Sequence, residues 1–243
     1  MTAPAQANDT SVAAITRRAR KASRALAKLS ADARVEVLMA AAQAIEDARQ
    51  RILDANERDR HAAEPAVTSG KMTASMLARL RVTDAGVAQM AAQIREVARL
   101  EDPIGRKLSA AELDDGLVLY KESCPFGVVG VIFESRPDVI PQVASLCLKS
   151  ANAVILKGGS EAAETNQELV AIWRECLIRF RGVPADSINL LESRADVMEF
   201  LTEDRDVDLV VPRGSYQLVK HIMQHSRIPV LGHGEGICHV YVD

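Results

Sequence analysis

The stretch "FGVVGVIF" (126–133) is an unbroken run of apolar residues and glycine, rich in β-branched side chains. A strand with one face in water alternates apolar and polar positions, whereas a strand covered on both faces does not. The run therefore reads as a central strand of a parallel sheet, and it decides the fold class. The pattern then repeats along the chain. "DVIPQVASLCLKSA" (138–151) has helical periodicity, "NAVILKGG" (152–159) is a second buried strand, and "SEAAETNQELVAIWRECLIRF" (160–180) is a second helix. "SINLLES" (187–193) and "ADVMEFLTED" (195–204) form a third strand and helix, and "VDLVVPRG" (207–214) and "SYQLVKHIMQHS" (215–226) a fourth pair. "IPVLGH" (228–233) and "ICHVYVD" (237–243) read as closing strands. Strands and helices alternating at short spacing predict a parallel sheet with helices on both faces, an α/β nucleotide-binding type of domain.

Working outward, residues from about 10 to 100 are Ala-rich and helical in period. Ser30 caps a long helix over 31–60, Thr73 opens a short helix at "TASMLARL" (73–80), and Thr83 opens another at "TDAGVAQMAAQIREVARL" (83–100). "EPAVTSGK" (64–71) reads as a loop, and "GLVLYKES" (116–123) alternates like an exposed strand. The helical half carries no evident chemistry and is expected to pack on the sheet.

The 243 residues are 48% hydrophobic and 26% charged, an ordinary globular composition. A net charge of −3 argues against a nucleic-acid partner. No apolar run approaches the ~20 residues of a membrane span, and the Arg pair near the N-terminus has no apolar stretch behind it. A cytoplasmic protein is the expectation. The 4 cysteines, Cys124, Cys147, Cys176 and Cys238, form no CxxC pair, so neither disulfides nor a zinc site is expected. His221 and His225 are four apart on a helix without the glutamate of a zinc motif, and read as ordinary histidines.

Ligands of such sheets bind beyond the carboxyl ends of the strands. In "FESRPDV" (133–139), Glu134, Ser135 and Arg136 follow the buried strand. Arg136 offers a planar fork for a carboxylate or phosphate; the plain alternative is a loop arginine paired to a local acid. In "ILKGGSE" (155–161), Lys157 ends a strand, Gly158 and Gly159 turn, and Ser160 and Glu161 start a helix. Glycines allow close backbone approach and a helix N-terminus attracts phosphate. Lys157 could meet a ribose phosphate, whereas Glu161 could accept from a ribose hydroxyl. "VVPRGSYQLV" (210–219) has the same form, with Pro212, Arg213, Gly214 and Ser215 before a helix. Two such turns suit a pyrophosphate-bearing ligand; two ordinary βα turns are the alternative. In "GHGEGICHVYVD" (232–243), Gly232, His233 and Gly234 open a turn, and His233 and Glu235 are acid/base candidates. His239 points away from Cys238 on an adjacent strand position, so Cys238 reads as a buried small hydrophobe.

Together, "PFGVVGVIFESRPDV" (125–139), "LCLKSANAVILKGGSEA" (146–162), "DLVVPRGS" (208–215) and "LGHGEGICHVYVD" (231–243) resemble the gamma-glutamyl phosphate reductase (glutamate-5-semialdehyde dehydrogenase) family, a branch of the aldehyde dehydrogenase superfamily. The helical half is similar as well, at "ILDANERD" (52–59) and over 76–105. Ala151 and Asp138 depart from the glycine and asparagine expected there. The resemblance implies a Rossmann-type sheet preceded by an all-helical layer. It divides the chain into a helical part of the cofactor domain (1–114), an oligomerisation-arm strand (115–124) and an NADP-binding α/β part (125–243), with the catalytic domain absent.

The implied reaction is NADPH-dependent reduction of L-glutamyl 5-phosphate to L-glutamate 5-semialdehyde and phosphate. It runs through a thioester on a cysteine expected beyond residue 243. Ser135 would donate to the oxyanion and Arg136 would bind the substrate phosphate or carboxylate. Glu134, Lys157, Gly158, Gly159, Ser160, Glu161, Pro212, Arg213, Gly214, Ser215, Gly232, His233 and Gly234 would line the cofactor site, and no metal is expected. The family implies a homo-oligomer, whose arm strand pairs near the missing C-terminus, and a contact with glutamate 5-kinase. A non-catalytic nucleotide-binding or interaction module is the alternative.

Overall fold

The computed structural model describes residues 10–70, 72–134, 136–193 and 195–232. Five helices come first: α1 (Val12–Leu26), α2 (Ala31–Asp47), α3 (Arg49–Thr68), α4 (Ala74–Leu80) and α5 (Asp84–Arg99). Four of them start at a hydroxyl cap. Ser11, Ser30, Thr73 and Thr83 accept from the N–H groups of Ala14, Ala33, Met76 and Gly86. Each cap meets a donor that the helix itself leaves unpaired, worth ~1 kcal/mol. A hairpin of β1 (Lys107–Asp114) and β2 (Leu117–Glu122) follows. The α/β part then runs β3 (Val128–Phe133), α6 (Val139–Lys149), β4 (Ala153–Lys157), α7 (Ala163–Leu177), β5 (Ile188–Leu190), α8 (Ala195–Phe200), β6 (Leu209–Arg213) and α9 (Tyr216–His225).

The four-stranded sheet is parallel in the order β5-β4-β3-β6. Every residue of β3 and β4 is buried, which explains their unbroken apolar sequence. The chain steps in one direction from β3 to β5, and α8 then carries it back to β6 on the other side of β3. A topological switch point therefore lies between β3 and β6, where α/β sheets bind their ligands. α6 and α7 cover one face. α1 and α8 cover the other, and Phe200 of α8 sits so close to Gly130 that a Cβ there would lie 2.4 Å from its ring. α2, α3 and α5 form a further layer on α6 and α7. Val37, Leu38, Ile45 and Ile52 of that layer share one core with Val128, Ile155 and Trp173. Burying each aliphatic side chain contributes ~1.5–3 kcal/mol, so the helical layer is part of what holds the sheet.

A polar tie fixes α1 to the sheet. Arg20 pairs with Asp208 at 2.7 Å, and Asp208 accepts from the Val128 N–H at 2.7 Å. Gly127, at φ +121, makes room for this: a Cβ there would meet Asp208 Oδ2 at 2.3 Å.

Two expectations for the helical half are corrected, and the structure adds detail that the sequence did not give. The long helix over 31–60 is two helices, interrupted at Ala48 with φ −87 and ψ 12. Most of "EPAVTSGK" is helical: Pro65 forfeits one N–H bond to the turn before it, and α3 ends within a turn of it. The strand at 117–122 is paired within this chain, to β1, with Ala111 opposite Leu119 and Asp114 opposite Leu117. β1 escaped notice because "KLSAAELD" is exposed throughout, so no burial alternation marks it. The expected boundary at 114/115 falls in the turn of this hairpin, at Asp115 and Gly116. Over 228–232, the described part of "IPVLGH", Val230 forms a parallel bridge to Val210.

The cysteines and histidines carry no site in the described residues. Cys124 is exposed, while Cys147 and Cys176 are buried. Burial pushes the Cys147 thiol up to about 12 and raises that of Cys176, so neither supplies a thiolate near neutral pH. His225 and His221 lie ring to ring at 4.2 Å on α9. Among the described residues no helix is long and apolar enough to cross a membrane. The expectations for Ser135, His233, Gly234, Glu235, Cys238 and the strand at 237–243 lie outside the described residues.

Candidate functional site

The site is built from the strand ends at the switch point. β3 ends at buried Phe133, and exposed Glu134 follows. Across the switch point, β6 runs through buried Pro212, opposite Ile132, to exposed Arg213, opposite Phe133, and then to Gly214 and Ser215. Glu134 Oε2 accepts from the Ser215 N–H at 2.8 Å. Gly214 permits this contact, since a Cβ there would lie 2.4 Å from the same oxygen. Ser215 in turn caps α9 by accepting from the Leu218 N–H. Gly232 packs beside α9, where a Cβ would meet Met223 Sδ at 3.0 Å.

The second turn follows β4. Lys157 is 9% exposed and its Nζ donates to the Gly158 carbonyl at 2.5 Å. The Glu161 carboxylate folds back over the Gly pair, with an oxygen 2.1 Å from where a Gly159 Cβ would stand. A Cβ on Gly158 would meet Asn166 Nδ2 at 2.3 Å. Gly158 is therefore held to glycine by close approach, while the Glu161 side chain could move aside at Gly159, and exposed Ser160 follows them into a single 3-10 turn.

The sequence suggested that the N-termini of α7 and α9 would receive phosphate. Both already hold a carboxylate of this chain. Asp59 of α3 is 5% exposed, and it accepts from the N–H groups of Glu164 (3.0 Å) and Thr165 (2.8 Å) and from the Thr165 hydroxyl (2.6 Å). Glu134 does the corresponding work at α9. A helix N-terminus attracts whatever anion stands nearest, and here two side chains remote in sequence arrive first.

Asn166 is the residue that sequence reasoning missed. It is 2% exposed, donates to Gly159 O at 3.5 Å, and its Oδ1 has no partner. It borders a cleft of about 60 Å³ together with Gly158, Gly159, Ser160, Leu190 and Glu192. A buried amide oxygen without a donor costs ~1–3 kcal/mol, so such groups mark places where a ligand donor fits. The signal was present in the sequence: Asn166 shares a helix face with Leu169, Val170 and Trp173, all buried.

A larger cavity of about 450 Å³ lies where the first turns of α5 and α6 meet the end of α4. Arg79, Arg81 and Arg136 line it, with Asp138, Gln93 and Gln142. Arg136 pairs with Asp138 at 3.1 Å, so the local-acid alternative holds, while its guanidinium still borders the cavity.

A family model described as the aldehyde dehydrogenase family matches residues 1–231. The chain belongs to the aldehyde dehydrogenase family. Within it, a gamma-glutamyl phosphate reductase of Methanosarcina mazei is 49% identical over 226 residues, 93% of this chain and 51% of the relative. The crystal structure of the Saccharomyces cerevisiae gamma-glutamyl phosphate reductase aligns with a TM-score of 0.84 at 41% identity, over 92% of this chain and 56% of that one. That of Thermotoga maritima aligns at 0.87 and 29% identity, over 93% and 54%. The chain thus spans about half the length of the curated relatives it matches. The aldehyde dehydrogenase family implies a nicotinamide cofactor. The residues present fit one: a Gly158–Gly159 cradle that any Cβ would fill, and beside it an orphaned buried acceptor on Asn166.

Proposed function

We propose that this chain is the cofactor-binding part of a gamma-glutamyl phosphate reductase, which reduces L-glutamyl 5-phosphate with NADPH to L-glutamate 5-semialdehyde and phosphate. The observation that carries the reading is the orphaned Asn166 Oδ1 beside the Gly158–Gly159 turn. It provides an acceptor for a donor on the adenosine end of a dinucleotide. Gly158, Gly159, Ser160 and Glu161 would hold that end, with Glu161 accepting from a ribose hydroxyl. The choice of NADPH over NADH rests on the resemblance, since Lys157 and Glu161 pull in opposite directions.

Bound NADPH supplies the hydride. The chain's own part is to hold and orient it, with Glu134, Gly214 and Ser215 fixing the floor of the switch-point crevice. Ser135, immediately after Glu134, would donate to the substrate oxyanion. The reading draws the nucleophilic thiolate from a cysteine beyond residue 243, as the resemblance implies; burial keeps Cys147 and Cys176 protonated. Action in the cytoplasm, as a homo-oligomer in contact with glutamate 5-kinase, belongs to the same proposal.

The test is formation of NADPH from glutamate 5-semialdehyde, NADP⁺ and phosphate. A full-length protein carrying this chain is expected to turn over, and the 243-residue chain alone is not. A full-length protein that binds NADPH without turnover would instead favour a non-catalytic module.

A further inference from the structure

The cavity at the junction of α4, α5 and α6 has a composition that the cofactor does not explain. It sets three guanidinium groups, from Arg79, Arg81 and Arg136, against one carboxylate, Asp138, which is already paired with Arg136. Among the described residues, the side chains of Arg79 and Arg81 have no hydrogen-bond or ion-pair partner. The nearby Asp84 is taken by Arg49 at 3.0 Å. The first turns of two long helices, α5 at Thr83 and Gly86 and α6 at Pro137 and Asp138, form its other walls, so two positive helix ends add to the three cations. Arg79, Arg81 and Arg136 are exposed, so their planar forks are open to a ligand, and such a fork matches a carboxylate oxygen pair.

The segment that carries the two arginines is not loose. Leu80 between them is fully buried. Asn56, 2% exposed, donates to Leu80 O at 2.7 Å and accepts from Val82 N–H at 2.8 Å, pinning the backbone on both sides of Arg81. Asn56 also donates to the Thr165 hydroxyl at 3.3 Å, and Thr165 is held by Asp59 at the start of α7. A buried polar chain thus joins the arginine segment to the helix that frames the Gly158–Gly159 turn. Arg136, which lines the cavity, stands two residues past Glu134 at the end of β3.

We infer that Arg79 and Arg81 hold the α-carboxylate of an amino-acid-derived acyl substrate, and so select it by the end remote from the reacting carbonyl. The inference rests on the proposed reading and assigns substrate specificity to the helical layer.

The test titrates the 243-residue chain with L-glutamine, L-isoglutamine and inorganic phosphate by protein NMR, with NADPH binding measured separately. L-Glutamine keeps the α-carboxylate and L-isoglutamine lacks it. The expected result is millimolar binding of L-glutamine with shifts at the cavity, and binding of L-isoglutamine weaker by roughly tenfold or more. The double variant Arg79→Gln/Arg81→Gln should lose L-glutamine binding and keep NADPH binding. Arg24→Gln, which removes one positive charge from α1, should lose neither. Equal binding of the two amides, stronger binding of phosphate than of L-glutamine, no L-glutamine binding, or an unaffected double variant would each overturn the inference. Loss of NADPH binding in the wild-type chain would instead overturn the functional reading, so the two failures are distinct.

Discussion

Glu134 and Ser215, 81 residues apart in sequence, meet at 2.8 Å across the switch point, where the Glu134 carboxylate accepts the first free N–H of α9. This contact joins the ends of β3 and β6 and places a negative charge at the positive end of a ten-residue helix. Glu134→Ala is expected to lower stability by about 1 kcal/mol, the usual worth of a charge-complemented helix start at an exposed site. Gly214→Ala should cost at least as much, because the added methyl would stand 2.4 Å from Glu134 Oε2. Urea unfolding of both variants checks this; an unchanged midpoint in Glu134→Ala would show that the contact is not maintained in solution.

Asp59 is a stronger case. It accepts three hydrogen bonds from Glu164 and Thr165 while nearly fully buried, and it links α3 to the start of α7. Asp59→Ala leaves two N–H donors and a hydroxyl without their acceptor, and a loss of about 3 kcal/mol is expected. Chemical denaturation measures it. A loss below about 1 kcal/mol would mean that water replaces the carboxylate there without penalty.

The Arg20–Asp208 tie predicts a similar outcome by another route. Asp208 Oδ2 serves both the Arg20 guanidinium and the Val128 N–H. Asp208→Asn should be milder than Asp208→Ala, because it retains an acceptor for Val128 while losing the ion pair. The order of the two unfolding midpoints is the readout, and the reverse order would contradict it.

These contacts show where the sequence was legible. The sheet was readable because both faces of β3 and β4 are covered, so burial wrote itself as unbroken apolar runs. The hairpin strand β1 was not, because a strand exposed on every residue leaves no pattern. The glycines at 158 and 159 were read as letting a ligand approach the backbone, and what stands at each Cβ position, as at Gly214, is a side chain of this chain. What approaches them was not readable. Asp59 and Glu134 reach their helix ends from elements 105 and 81 residues away, and no local spacing encodes that. Arg79 and Arg81 were passed over for the same reason: only folding brings them opposite Arg136.

Acid should loosen the helical layer at a defined pair. Arg95 of α5 donates twice to Glu46 of α2, at 2.7 and 2.6 Å, and these bonds hold the Glu46 carboxyl below its ordinary value. A carboxylate whose pKa is lower folded than unfolded contributes stability that is complete above the unfolded value. That contribution is lost as pH falls through the folded one. Stability of the wild-type chain should therefore decline below the ordinary glutamate range of about 4.3 more steeply than that of Glu46→Gln. Parallel slopes of unfolding free energy against pH would contradict the assignment.

The most direct measurement is NADPH binding to the chain and to its Asn166→Leu variant. Asn166 Oδ1 is buried and without a partner in the described structure, so an apolar replacement of similar size should leave stability unchanged or raise it. If that oxygen accepts from the cofactor, affinity should fall by roughly tenfold, the worth of about 1.4 kcal/mol. Intact folding with about tenfold weaker NADPH binding is the predicted result. Equal NADPH affinity in the two proteins, or no binding by the wild-type chain at millimolar concentration, would contradict the placement of the cofactor in this cleft.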